Sequence, residues 1–359
     1  MDVTNLPGLP TPFLVVDVAA AERNIDRMAR LVAGTEVRLR PHYKAHKCPE
    51  LMRRQLAAPG TAGAACQTVA EAAELAALGC ADVLLTNQLA DPRRVAELLA
   101  LPPEVDLGVL VDRPEQVDLL GAGAAAARRR VRVFVELDVG LRRGGFDAAD
   151  PDVAVAVGAI EEQPWLELAG VQAYEGHAVL EPDVELRHRR AADAHALAGR
   201  FRDRLARLAG RPLVLTGGGT GTADLIAATG ALDEIQCGSY VLMDAAYGRL
   251  GLPFEAALFC VATALSAHPD GRVVLDAGMK SLSGDGLPRA LTPGVRVLGL
   301  SDEHTRARQA ATVLRTGDRL LLQPWHVDPT MNLHDAVVVV EDGRTHTAPI
   351  RGRHAVRAG

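Results

Sequence analysis

Between about residues 36 and 240, short apolar runs alternate with stretches whose apolar residues recur every three or four positions. The runs lie at 37–40, 62–66, 83–86, 107–111, 131–137, 170–174, 213–216 and 234–237. Between them the helical period is clear at 68–78, 92–100 and 184–208. Eight repeats of strand and helix predict a parallel (β/α)8 TIM-type barrel in an α/β protein, with a doubly wound open sheet as the competing topology. The alanine-rich piece 121–127 reads as a turn. After about Pro253 the long helical period disappears and β-type segments follow at 258–264, 272–276, 295–300, 310–314, 319–322 and 336–341. Turn signals such as Pro269-Asp270-Gly271 and Asp342-Gly343 separate them. A further run, 13–16, would be a ninth stave, one too many for the barrel. The expected organisation is therefore a barrel over 18–250 and an all-β domain made of 1–17 with 251–359.

Composition adds exclusions. A net charge of -6, with 39 basic residues dispersed among 45 acidic ones, offers no general surface for nucleic acid. Five cysteines without a CxxC pair point to reduced thiols and a cytoplasmic protein. No segment approaches the roughly 20 apolar residues of a membrane span, and the first residues lack the signal-peptide pattern.

Of the 39 basic residues only Lys44, Lys47 and Lys280 are lysine, and two of these fall in the run Pro41-His42-Tyr43-Lys44-Ala45-His46-Lys47. Arginine stays protonated, whereas a crowded lysine amine loses its proton and attacks a carbonyl. Arg38, Arg40, Lys47 and protonated His42 or His46 would press Lys44 in that direction. Lys44 is the better candidate because it is nearer the end of the first strand; a basic surface loop is the plain alternative. Barrel enzymes place their chemistry at the C-terminal ends of strands. There the sequence puts Tyr174, Glu175 and His177, the glycine run Thr216-Gly217-Gly218-Gly219-Thr220-Gly221, and Gly238-Ser239-Tyr240. The last two loops suit a phosphate, which glycine-rich backbone approaches closely. A reactive lysine with one phosphate site points to pyridoxal 5'-phosphate. His326 and Asp328, two apart in what reads as an extended segment, would share one face and a divalent cation; a capped surface turn is the alternative.

These residues resemble the fold-type III pyridoxal-phosphate enzymes of the D-threonine aldolase and D-serine dehydratase group, related in fold to alanine racemase. The likeness runs from Thr11-Pro12 through PHYKAHK, DVGLRRGG at 138–145, QAYEGH at 172–177, GGGTGT at 217–222, CGSYVLMDAAY at 237–247 and HVDPTMNLHD at 326–335. It implies Lys44 as the coenzyme lysine, with Thr216, Gly218, Gly219, Thr220, Gly238, Ser239 and Tyr240 around the phosphate. Arg143 and Tyr174 would be ring or active-site contacts, and His326 and Asp328 metal ligands. The dehydratase branch resembles His-x-Cys with zinc, the aldolase branch His-x-Asp with a harder ion. Here the pattern is His326-x-Asp328, which implies aldol cleavage of a 3-hydroxy-D-amino acid to glycine and an aldehyde. Manganese is the expected ion, with magnesium, cobalt or zinc as other occupants. Where aldolases of this group carry a base histidine several positions beyond the tyrosine, this chain has Leu180, leaving His177 or a metal-linked water as the base. The alternatives are a D-serine or other D-3-hydroxy-amino-acid dehydratase and a coenzyme carrier without turnover. The resemblance also implies a homodimer.

Overall fold

The structure, a computed structural model, describes residue 6 and residues 8–311 and 313–353. The chain forms two compact units, one of Met28–Lys44, Met52–Gly238 and the chain end from Gly352, the other of Met1–Arg27, Ala45–Leu51 and Ser239–Arg351. The sequence boundaries at 18 and 250 thus differ from this division, which also assigns 45–51 to the β-rich unit.

The first unit contains an eight-stranded parallel sheet. Its strands are Arg38–Leu39, Ala64–Cys66, Asp82–Leu85, Asp106–Val111, Val131–Leu137, Leu166–Ala173, Val214–Gly217 and Glu234–Ile235. Strand eight pairs with strand one, and the isolated bridges Leu39–Thr61 and His42–Ala65 join strand one to the second. The sheet therefore curls round to meet itself, as expected for a barrel rather than an open doubly wound sheet.

Alternation decides what each strand residue does. Val83, Leu85, Val109, Val111, Val133 and Val135 are buried on one face. On the other, Leu84, Leu110 and Phe134 cluster across three strands, and glycine at 108 and 170 leaves room for the phenyl ring. An added Cβ on Gly170 would stand 2.8 Å from Phe134. Above and below this apolar layer the same face carries polar residues. At the N-terminal ends of strands, Arg40 bridges Glu234 and Asp82, both at 2.7 Å, and Arg132 joins Asp82 to Asp106. Arg40 reaches Asp82, in strand three, past Gly63, whose added Cβ would lie 2.9 Å from the guanidinium.

One helix corrects the sequence reading. Residues 121–127 are the second half of the α-helix Pro114–Ala127. Proline at the first position starts that helix and its alanines favour it intrinsically, while Gly121 and Gly123 accept close packing from Gln163 and Val95.

The second unit is built on a nine-stranded sheet. Phe13–Asp17 lies within it, antiparallel to Leu258–Ala267 and parallel to Ala336–Glu341. Val15, Phe259, Val261, Leu321 and Val338 form its core. The expected strand at 310–314 includes residue 312, outside the described residues. The observed strand is Thr305–Gln309, where Thr305, Ala307 and Gln309 are buried and the arginines between them exposed. Polar inward positions hid it. Arg289–Ala290 and Arg344–Pro349 are further strands that apolar content did not announce.

The Arg40 cluster makes a stability prediction. Arg40 is 1% exposed, so replacing it with methionine strands the Glu234 carboxylate; breaking such a pair costs about 3–5 kcal/mol. Burial pushes the Asp82 carboxyl up, but the hydrogen bonds and charges of Arg40 and Arg132 outweigh it and hold the group below its ordinary value. A depressed carboxyl contributes stability that is complete above the unfolded value, about 4, and lost as pH falls through the folded one. Urea unfolding should therefore show a large loss for Arg40→Met at neutral pH, and a wild-type acid decline below about pH 4 that is shallower in Asp82→Asn.

Candidate functional site

Main-chain pairing on both sides holds the segment leading to Lys44. Arg40 and His42 give their N–H groups to Ile235 and Cys237 next to strand eight, and the Pro41 carbonyl accepts the Ala65 N–H at 3.0 Å on the other side. Proline is tolerated because its missing N–H falls between the bonds that this edge makes. The His42 side chain turns to Thr86 at 3.1 Å, and its Nδ1 lies 3.4 Å from the Lys44 N–H. One 3-10 turn, Tyr43–Ala45, then presents a half-buried Lys44. Arg40 adds no free positive charge here, being bidentate on Glu234 and shared with Asp82. Lys47 belongs to the segment 45–51; its backbone is left-handed at φ 50° and its carbonyl takes the Arg351 N–H. Lys280 is exposed and paired with Glu303.

The glycine turn after strand seven is shaped by neighbouring backbone. A Cβ on Gly217 would run into the Ala173 carbonyl, and one on Gly221 into the Val179 carbonyl. Gly218 has φ +76° and would press on Ile226 at 2.5 Å. The turn is thus a cradle that only glycine builds, with a bare main chain suited to a phosphate. Within it, the Gly219 N–H is directed at the Thr222 hydroxyl, 3.3 Å away, so this amide is committed inside the turn. Thr216 is wholly buried and accepts from Gln236, which also donates to Gln172. Its hydroxyl belongs to the polar interior of the sheet. Thr220 is buried.

Two neighbouring loops carry the other barrel candidates. The Arg143 guanidinium lies 5.7 Å over the Tyr174 ring and 3.8 Å from Glu136. Burial raises the Glu136 carboxyl above its ordinary range, although Gln88 and Arg143 oppose it. His177 is exposed, with its ring against Gly140, where an added Cβ would be 3.0 Å away and φ is +123°. Leu180 is 47% exposed.

Gly238 ends the barrel unit, and Ser239–Val241 is a 3-10 turn in the other. The Ser239 carbonyl takes the Met243 N–H at 2.7 Å, while the buried Tyr240 ring meets Phe254 at 5.8 Å.

The metal candidates do meet, by a route other than the expected extended strand. His326 caps the short helix Val327–Asn332, and Asp328 sits in its first turn. His326 Nε2 and Asp328 Oδ2 are 3.7 Å apart. That oxygen is buried and has no hydrogen-bond partner. Asp285 Oδ2 holds the other imidazole nitrogen at 2.7 Å, the carboxylate–histidine arrangement found behind metal ligands. Burial pushes the Asp285 carboxyl up, but His326 and Ser283 hold it below its ordinary range. Asp244 takes the Tyr247 and Val327 N–H groups, and burial pushes its carboxyl up to about 6. Among the described residues no three His, Cys, Asp or Glu side chains converge on one point. A cation here would take two protein donors, an imidazole nitrogen and a carboxylate oxygen, and complete its shell with water or substrate. The orphaned oxygen and the oriented imidazole fit such an ion.

The sequence did not single out Asp285, Asp244 or Thr222, and gave Glu175 no role. Asp285 sits in Ser283-Gly284-Asp285-Gly286, which reads as a turn, and Asp244 lies inside CGSYVLMDAAY without a spacing rule to mark it.

The alanine racemase N-terminal domain family matches residues 16–246, and a putative serine dehydratase domain matches 257–340. A D-threonine aldolase from Arthrobacter sp. is 38% identical over 346 residues, covering 94% of this chain and 91% of that protein. A 3-hydroxy-D-aspartate aldolase from Paracoccus denitrificans is 34% identical over 370 residues, covering 98% and 95%. The crystal structure of D-threonine aldolase from Filomicrobium marinum matches with a TM-score of 0.91 and 35% identity, over 97% of this chain and 96% of that one. With a family match over more than half its length and relatives aligned nearly end to end, the chain belongs to the fold-type III, alanine-racemase-like enzymes of the D-threonine aldolase and D-serine dehydratase group.

Proposed function

We propose that this lyase cleaves 3-hydroxy-D-amino acids, D-threonine among them, to glycine and an aldehyde, using pyridoxal 5'-phosphate and a divalent cation. The observation that carries the reading is the buried, partnerless oxygen of Asp328 facing His326 Nε2. An unpaired carboxylate oxygen out of water is costly, and a cation removes that cost. The donor set lacks thiolate, so it favours a hard ion, and manganese is our assignment.

When bound, the coenzyme supplies an electron sink for the pair left on Cα, and the cation lowers the pKa of a hydroxyl oxygen. The protein supplies the rest. Lys44 would hold the coenzyme through its aldehyde. The glycine turn and Gly238-Ser239-Tyr240 receive the phosphate. Arg143 and Tyr174 position the ring or the substrate. His177 takes the proton from the β-hydroxyl as the Cα–Cβ bond breaks and the aldehyde leaves; Cα then gains a proton, giving glycine. The five cysteines are buried thiols, which suits a cytoplasmic enzyme, and we place it there as a homodimer.

Borohydride treatment of the coenzyme-loaded protein should fix the label to one peptide containing Lys44, and Lys44→Ala should abolish both label and colour. Labelling at Lys47 or Lys280 would move the nucleophile.

Chelator should remove activity while leaving bound coenzyme in place, and Asp328→Ala should do the same. Asp285→Asn should weaken metal binding by roughly 10–100-fold, because it releases the imidazole that Asp285 orients. Equilibrium dialysis with manganese checks both variants; unchanged affinity in either would remove these residues from the metal site.

Product analysis tests the reaction itself. D-Threonine should give glycine and acetaldehyde, D-3-hydroxyaspartate glycine and glyoxylate, and L-threonine nothing. Ammonia and 2-oxobutyrate as the main products from D-threonine would make the chain a dehydratase.

A further inference from the structure

Behind the glycine turn lies a buried polar group that the reaction does not use. Glu175, on the loop after strand six, is 0% exposed, and its Oε1 accepts the Thr222 hydroxyl at 2.6 Å. The Thr222 oxygen is itself 3.3 Å from the Gly219 N–H and 3.3 Å from the Gly219 carbonyl. A hydroxyl has one proton, and the short contact to a carboxylate claims it. Its lone pairs are then left for the Gly219 amide. His195, reaching in from the long helix Val184–Ala209, lies 3.2 Å from the same carboxylate oxygen but out of hydrogen-bond alignment. The second carboxylate oxygen has no partner.

A carboxylate buried this deeply is expensive to keep, and replacing such groups by apolar ones often stabilises a fold. Its retention here is matched by what it holds. The Glu175 loop and the glycine turn also touch through bare main chain, since a Cβ on Gly221 would meet the Val179 carbonyl and one on Gly219 would lie 3.0 Å from Val179. Glycines resist collapse into other conformations poorly, because they have the most to choose from. A turn with four glycines among its seven residues, 216–222, needs an outside restraint to hold one shape.

We propose that Glu175 and Thr222 are positioning residues for coenzyme phosphate: Glu175 orients the Thr222 hydroxyl, which pins the Gly219 peptide and so fixes the cradle that the phosphate enters. Neither touches the reacting atoms. The inference rests on the pyridoxal-phosphate reading above, and its test separates the two.

The measurement is equilibrium binding to the apoprotein of three probes: pyridoxal phosphate, phosphate-free pyridoxal, and inorganic phosphate as competitor of the first. Thr222→Val keeps side-chain shape and removes the hydroxyl. It should weaken pyridoxal phosphate and inorganic phosphate roughly tenfold, the scale of one lost hydrogen bond, while pyridoxal binds within about twofold of wild type. Thr222→Ser should restore binding. Glu175→Gln, which keeps the shape without the charge, should give a smaller loss confined to the same two phosphate-bearing probes. Wild-type affinity in Thr222→Val, equal weakening of pyridoxal and pyridoxal phosphate, or failure of serine to rescue would overturn the positioning role. A wild-type protein that binds pyridoxal phosphate no better than pyridoxal would overturn the coenzyme-phosphate reading itself.

Discussion

The barrel depends on one buried guanidinium. Arg40 is almost fully enclosed, yet it contacts Glu234 in strand eight and Asp82 in strand three while itself extending strand one. It thereby fastens the seam where the first and last strands of the sheet meet. Only a planar fork with several fixed donors satisfies two carboxylates at once, so lysine would not substitute. Gly63 is the complementary concession: strand two lies between strands one and three, and its missing side chain lets the guanidinium through. Two residues beyond Arg40, the His42 N–H is bonded to Cys237, and two further on stands Lys44. The position of the candidate nucleophile is therefore a consequence of how the seam is closed.

Glycine does related work at the other end of the strands. At 217 and 221 the residue is glycine because another chain segment's carbonyl occupies the space of a side chain, and at 218 because φ is positive. The same absence of side chains that satisfies packing leaves main chain bare for an anion. Packing and binding impose one sequence requirement here. That is why a glycine-rich run has a meaning in this loop that it lacks in an exposed turn such as Asp342-Gly343.

Apolar runs made the barrel strands legible, because strands covered by helices are apolar on their outer face whatever lies within. The inward face was not legible. Asp82, Arg132, Glu136 and Gln172 sit among apolar neighbours, and nothing in their spacing says that they pair across strands. Thr305–Gln309 escaped for the same reason, since its arginines dominate the local composition. At 121–127 the chain is helical despite two glycines, since a glycine in a helix costs only about 1 kcal/mol relative to alanine and here admits tight neighbours. The candidate nucleophile, the candidate phosphate turn and the candidate metal pair stood out because rare lysine, clustered glycine and His-x-Asp are compositional signals. The residues that orient them did not. Asp285 lies 41 positions from His326, and Thr222 lies 47 from Glu175, so only folding brings them together.

The β-rich unit shows the electrostatic logic of a candidate metal site. Three carboxylates, Asp244, Asp285 and Asp328, are associated with one imidazole or with the backbone beside it, yet they do not converge. Asp285 takes the Nδ1 side of the ring, Asp244 the Val327 N–H, and only Asp328 faces Nε2. Each of the first two is spent on orientation, and the third has an oxygen with no hydrogen-bond partner. A structural ion pair would have satisfied that oxygen directly. Here the ring is turned so that its remaining lone pair and an unsatisfied carboxylate oxygen stand opposite each other, 3.7 Å apart. His326 and Asp328 would be the protein donors to a cation held there. Two donors alone leave coordination positions open, and an open position is what lets an ion act on a substrate oxygen.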